Sequence, residues 1–338
     1  MKSIKKFLAV VLSVLLIVAA FAGCSAGKDT NNEAESKADG EKKVAILQYM
    51  PHTSLDNCTQ GVKNALDKAG IAYDVQIGSS GSADTDCESY AQQMVASGYD
   101  AIIAVATPAA MSAYSAVQNA SSSTPVIFCA VSDPVAAGLV DSMETPGKNC
   151  TGTADAIDID GQVALIKQLQ PEIKSLGVLY TTSEANSISQ LKTLQAECDK
   201  AGIELVSQGI AEASELASAA AALIPKVDAL TNLTDNNVVD NMSVFLEQAD
   251  AAGIPVYGSE IEQVKKGCLA SASIDYVALG EKTGEMAIDV IGGKDAASYP
   301  AVTVTDSFLV VNTDVASKLN ITIPASMNDV EKVTTQAE

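Results

Sequence analysis

Hydrophobic and polar positions divide the chain into three stretches. Residues 7–21 form an uncharged, mostly apolar run, behind Lys2, Lys5 and Lys6 and ahead of Ala22-Gly23-Cys24. Residues 25–43 carry almost no large apolar side chain. From Val44 onward, short apolar runs alternate with longer segments in which apolar residues recur every three or four places. The first stretch is about 15 residues, shorter than the roughly 20 a membrane-spanning helix needs, and with its lysines it reads as a secretory signal, 1–23. The second cannot bury enough surface to fold and reads as a flexible tether, 24–43. In the third, the runs at 44–49, 72–77, 176–180 and 204–209 predict strands. The periodic segments predict helices, which end at glycines such as Gly70, Gly98, Gly202 and Gly253. Such alternation implies parallel sheets covered by helices on both faces, so the expected class is α/β, doubly wound.

The alternation is duplicated. Asp67-Lys68-Ala69-Gly70-Ile71 recurs 132 residues later as Asp199-Lys200-Ala201-Gly202-Ile203. Tyr99-Asp100-Ala101-Ile102 is echoed by Val227-Asp228-Ala229-Leu230, and Thr124-Pro125-Val126 by Ile254-Pro255-Val256. Two β-α-β-α-β units in tandem predict two doubly wound lobes. Beyond Gly267 the pattern leaves a strand at 269–274, a helix at 276–291 with Gly280 and Gly284 tolerated inside it, and a final strand at 302–311.

Composition narrows the chemistry. His52 is the single histidine, and neither arginine nor tryptophan occurs. A His-rich metal site and a facial triad are out of reach, although an all-carboxylate calcium site is not; no metal, cofactor or catalytic residue is expected. No Gly-x-Ser-x-Gly elbow accompanies His52, which reads as a loop residue at a cleft mouth or the surface. Without arginine, a ligand carboxylate must be held by backbone N–H groups, hydroxyls, amides or lysine. The formal net charge of −21 disfavours nucleic acid and anionic lipid surfaces as partners. Besides Cys24, six cysteines (58, 87, 129, 150, 198 and 268) lack any Cys-x-x-Cys spacing, and no pairing follows from them.

Small residues leading into Cys24 resemble a lipobox, with Phe21 where leucine is usual. That resemblance implies lipidation of Cys24 and an extracytoplasmic protein anchored to the cell membrane by its N-terminal lipid. Further motifs follow in order: Val44-Ala45-Ile46-Leu47-Gln48 with Leu55-Asp56, Thr107-Pro108-Ala109-Ala110, Pro125-Val126-Ile127-Phe128 running into Val131-Ser132-Asp133-Pro134-Val135, Asn149-Cys150-Thr151-Gly152, Tyr180 with Glu184-Ala185-Asn186-Ser187, and Asp235-Asn236. Across about 280 residues they resemble the tryptophan-binding-protein-like group of ABC transporter substrate-binding proteins. The chain departs from the group at Ser79-Ser80-Gly81-Ser82-Ala83, where an Asn-Ala-Gln-Gly-Asp stretch is expected. The resemblance implies a type I periplasmic-binding-protein-like fold with a three-crossing hinge. Lobe 1 is then expected at 44–153 plus 268–299, lobe 2 at 154–267 plus 300–328, and a C-terminal tail at 329–338, with crossings near Thr153, Gly267 and Pro300. It also implies capture of a small solute, an aromatic or other hydrophobic amino acid, for an ABC permease and ATPase.

In open α/β sheets, ligands sit beyond the carboxyl ends of the strands, where helix N-termini present free N–H groups. Thr107 and Asp235 hold equivalent places, each seven residues after its matched aspartate, Asp100 or Asp228. An α-amino acid suits such a pair. Thr107 and Ser132 would hold its carboxylate, Asp235 would accept its ammonium, and Asn186 and Ser187 would close over the carboxylate. Gln48, Asp133, Glu184 and Asn236 complete the candidate set. Plain structural roles compete: helix caps for Thr107, Ser132 and Ser187, a turn for Asp133, a solvated turn for Asp235-Asn236, a surface cap for Glu184 and a loop hydrogen bond for Gln48. Two other functions also compete. One is a secreted carboxylate-dependent hydrolase using Asp133 with Asp235; the other is a ligand-binding receptor for a membrane sensor.

Overall fold

The computed structural model describes residues 42–328 and 330–336; the expected signal, Cys24 and nearly all of the tether lie outside them. The first series of elements is β1 (Lys43–Gln48), α1 (Thr53–Ala69), β2 (Ala72–Ile77), α2 (Ala83–Ser97), β3 (Ala101–Val105), α3 (Thr107–Asn119), β4 (Val126–Cys129) and β5 (Cys150–Ala154). They build a parallel sheet in the order β11-β5-β4-β3-β1-β2, with β11 (Val302–Thr303) returning from far down the chain. β3 and β4 are buried at every position and β1 at all but Lys43, which is why they read as continuous apolar runs.

The second series starts with α4 (Ile159–Leu169), then β6 (Ser175–Thr181), α5 (Ala185–Ala201), β7 (Glu204–Ile210), α6 (Leu216–Leu223), β8 (Ala229–Thr231), α7 (Asn236–Asp240), α8 (Met242–Ala252), β9 (Val256–Tyr257) and α9 (Ile261–Lys266). Its parallel sheet runs β7-β6-β8-β9. Leu269 N donates to Val256 O (2.6 Å) and Gly258 N to Ala270 O (3.0 Å), which extends the sheet into β10 (Ala270–Ser273). β12 (Phe308–Asn312) follows antiparallel to β10, and β13 (Glu331–Val333) parallel to β12. Gly70, Gly98, Gly202 and Gly253 close their helices with φ between 68° and 72°, the left-handed turn that glycine adopts without strain.

Three features differ from the sequence reading. β10 belongs to the second lobe, because Leu269 and Ala270 lie in that lobe's core, so the second crossing falls at residues 274–275 and not near Gly267. The expected strand at 302–311 is two strands in different sheets, β11 beside β5 and β12 beside β10, with the third crossing at residues 304–307. The expected tail contributes β13, and Gln336 N donates to Lys265 O at 2.9 Å.

After the second crossing, α10 (Tyr276–Ile291) rejoins the first lobe and packs on α1. Glycine makes that approach possible. A Cβ at Gly280 would stand 2.0 Å from the Cys58 carbonyl oxygen, and one at Gly61 would stand 2.1 Å from that of Val277. After β12, α11 (Thr313–Lys318) caps the second lobe's core with Val315 and Ala316. The six described cysteines are free, buried thiols.

Candidate ligand-binding cleft

The carboxyl ends of the strands in the two lobes face each other. Loops after β4, β3 and β1 bring Ala130 and Ser132, Ala106 and Thr107, and His52, Ser54 and Leu55 to the cleft. Loops and helix starts after β6, β8 and β9 bring Asn186, Thr234 with Asn236 and Val239, and Glu260 with Gln263. Asp155, in the first crossing, and Tyr276, which opens α10 just after the second, line the hinge side. The space they surround, open solvent at its mouth included, is about 380 Å³.

Hydrogen bonds join the lobes across this space. Ser132 Oγ meets Thr234 Oγ1 at 3.1 Å and accepts from Gln190 Nε2 at 3.0 Å. Ser189 Oγ donates to Asp133 at 2.6 Å, His52 Nε2 meets Asn236 Oδ1 at 3.2 Å, and Ser80 Oγ donates to Asp240 at 3.3 Å. The cleft is therefore shut.

Two strained alanines shape the first lobe's wall. Ala106 (φ 82°) and Ala130 (φ 54°) follow β3 and β4, and each lines the cleft. Left-handed backbone at a residue with a Cβ costs about 1–3 kcal/mol and clusters at sites that need one particular chain direction. Here it turns the chain so that α3 begins at the cleft. The Thr107 hydroxyl is buried without a partner, and the N–H groups of Thr107 and Ala109, in the first helical turn, have no intrahelical acceptor.

Among the described residues no lysine lines the cleft, and its two carboxylates, Asp155 and Glu260, are buried. Burial pushes the Asp155 carboxyl up to about 7, against the hydroxyls of Ser132 (3.1 Å) and Tyr276 (3.3 Å) that donate to it. Burial likewise pushes Glu260 up to about 7, although it caps α9 by accepting from Glu262 N and Gln263 N at 2.7 and 2.9 Å. Leu55, Ala106, Ala130 and Val239 supply apolar wall.

Of the residues singled out from the sequence, Thr107, Ser132, Asn186 and Asn236 line the cleft. Asn186 gives its Nδ2 to Glu184 and to Thr234 O, both at 2.9 Å, and leaves Oδ1 buried without a partner. The others stand behind the wall. Asp235 accepts from Thr181 N, Thr181 Oγ1, Ser187 Oγ and Val238 N at 2.5–3.0 Å, which occupies its acceptor sites within its own lobe. It caps α7 and cannot turn to an ammonium. Ser187 is taken by that same bond. Glu184 is buried and not a surface cap; it accepts from Asn186, from Asn236 N and Nδ2, and from Asn237 N and Nδ2. Gln48 is tied to Met50, Asp56 and Thr59 under the wall. Asp133 caps its own turn at Ala136 N and meets Ser189. An Asp133–Asp235 catalytic pair thus has no free oxygen on Asp235.

Asp155, Glu260 and Gln263 carry no role in the sequence reading, and His52 reads there only as a loop residue at a cleft mouth or the surface; the structure brings all four to the cleft. The internal repeat held a signal for one of them: the 130-residue step that takes Val126 to Val256 takes Ala130 to Glu260.

Two α/β lobes, three crossings and a closed cleft at the strand ends define a type I periplasmic binding protein. Residues 43–334 match the ABC transporter substrate binding protein family, and the chain belongs to it. A relative from Clostridioides difficile (strain R20291), named tyrosine-binding protein, is 37% identical over 326 residues, covering 94% of this chain and 93% of the relative. The structure of an ABC domain from Streptococcus pneumoniae in complex with L-Trp superposes with a TM-score of 0.83 at 32% identity, covering 87% of this chain and 100% of that one. The ligand-free, open structure of a substrate-binding protein with adhesive properties from Clostridium difficile gives 0.65 at 35% identity, with the same coverage.

Proposed function

We propose that this chain captures an aromatic L-α-amino acid between its lobes, without transforming it, and delivers it to an ABC importer as a lipoprotein held to the membrane through Cys24. The observation that carries the reading is the pairing of opposite chemistries in one cleft. At one place stand an unpartnered hydroxyl and free N–H groups at the start of α3, suited to a carboxylate; on the hinge side stand buried carboxylates with no cation, suited to an ammonium. Thr107 and the free N–H groups at the start of α3 take the ligand carboxylate, Asp155 takes the ammonium, and the side chain extends toward Leu55 and Val239. The relatives named for tyrosine or bound to L-Trp support an aromatic side chain. The higher superposition on the L-Trp complex than on the open ligand-free relative supports a cleft that shuts on its ligand.

A thermal-shift screen over the twenty amino acids, common sugars and nucleosides tests this. A ligand present at about 100 times its Kd adds about 2.7 kcal/mol to stability. Tyrosine and tryptophan are expected to raise the melting temperature, and sugars and nucleosides to leave it unchanged. A shift from a sugar and none from any amino acid would overturn the reading.

A further inference from the structure

His52 is the chain's single histidine, and its environment fixes which of its nitrogens carries the proton. The contacts that fix it begin on the other lobe, at the buried Glu184. Burial, with Asp235 nearby, pushes its carboxyl up to about 8, but Oε2 accepts from two donors that cannot reverse, the backbone N–H of Asn236 and the Nδ2 of Asn186, which also donates to the Thr234 carbonyl, so any proton on Glu184 sits on Oε1 and Oε2 only accepts. Asn236 Nδ2 also donates to Glu184 Oε2, at 2.6 Å, so the amide of Asn236 is oriented with Oδ1 toward His52. Oδ1 can only accept. His52 Nε2, 3.2 Å away, therefore bears the hydrogen. Burial pushes the ring down to about 4, so at neutral pH it holds one proton and Nδ1 is a bare lone pair. That Nδ1 is buried, has no partner and belongs to a ring that lines the cleft.

The order of strands says which part of a ligand it meets. Ser132 and Thr234, from the loops after β4 and β8, mark one end of the cleft. His52 comes from the loop after β1, two strands away from β4, beside Leu55 and opposite Asn236 and Val239. With the ligand's carboxylate at Thr107 and its ammonium at Asp155, which Ser132 holds at that end, its side chain points to the His52 end. We infer that His52 is a specificity-determining residue: its Nδ1 accepts a hydrogen bond from an O–H or N–H on the ligand's aromatic side chain, which favours a phenol or indole over a bare phenyl ring. The inference rests on the amino-acid reading above. A phenyl ring would leave a buried acceptor unpaired, and sites built around such an acceptor discriminate by about tenfold or more.

Calorimetric titration of tyrosine, tryptophan and phenylalanine into wild type and His52→Phe, with nitrogen NMR of isotope-labelled histidine in the tag-free wild type, tests it. Wild type is expected to bind tyrosine and tryptophan at least about tenfold more tightly than phenylalanine. His52→Phe is expected to bring the three within about threefold, chiefly by weakening the first two, with phenylalanine binding reporting an intact site. In the NMR spectrum, Nε2 should be protonated, and Nδ1 should shift on adding tyrosine or tryptophan but not phenylalanine. Because there is one histidine, that spectrum decides the matter even if the variant fails to fold. Equal wild-type affinities, or an Nδ1 shift with phenylalanine as large as with tyrosine, would overturn the inference while leaving the amino-acid reading standing. Failure of all three amino acids to bind would overturn both.

Discussion

Asp235 has two oxygens and four donors, all from its own lobe. Bonds to an ionised group contribute about 1.5–3 kcal/mol each, and a lost N-cap costs about 0.5–2 kcal/mol. Asp235→Ala is therefore expected to destabilise the ligand-free protein by about 2–4 kcal/mol in chemical denaturation; a midpoint equal to wild type would free the residue for another role. Asp155 and Glu260 behave in the opposite way. Their carboxyls rise to about 7 with the cleft shut, whereas exposed carboxyls titrate near about 4. A raised carboxyl supports the closed arrangement fully below its ordinary value, and that support is lost as pH rises through about 7. The ligand-free protein should thus be more closed at about pH 5 than at about pH 8, with Asp155→Asn weakening the trend. Small-angle scattering of ligand-free protein across that range checks this, and a radius of gyration independent of pH would contradict it. In the proposed binding mode, the ammonium of the ligand takes over the protons' role at higher pH.

The element that ties the lobes' connectivity together is α10, which reaches the first lobe only after the chain has built most of the second. Its contact with α1 runs through Gly280 and Gly61 at backbone distance. Overpacking a close contact costs about 1–3 kcal/mol, so Gly280→Ala is expected to lower stability by that amount in urea unfolding. A neutral result would mean that the helices can separate without loss. The helix was legible in the sequence at its full length, but Gly280 read only as a glycine tolerated inside it, because periodicity reports which face is buried and not how near the neighbour comes. Helix ends at glycine and the alternating series were likewise legible, since each follows from local backbone preference. β11 and β12 were not: Asp306 and Ser307 break the stretch at the crossing, but neither half of it names the sheet it joins. At the site, Thr107, Ser132, Asn186 and Asn236 were legible as polar residues at strand ends. Asp235 carried the same signature yet turned inward, because the hydroxyls of Thr181 and Ser187, far off in sequence, claim it.

For the whole molecule, function depends on two lobes that meet over a ligand. Cross-lobe bonds at His52, Ser80, Ser132 and Asp133 are few and polar, so closure without ligand is weakly favoured and a bridging ligand can set the balance. Three crossing segments permit bending of the lobes about the hinge. The most direct test is small-angle scattering at about pH 8 during titration with tyrosine or tryptophan. The expected result is a saturable fall in the radius of gyration, absent with a sugar. An unchanged radius at saturating aromatic amino acid would contradict a cleft that closes on its ligand.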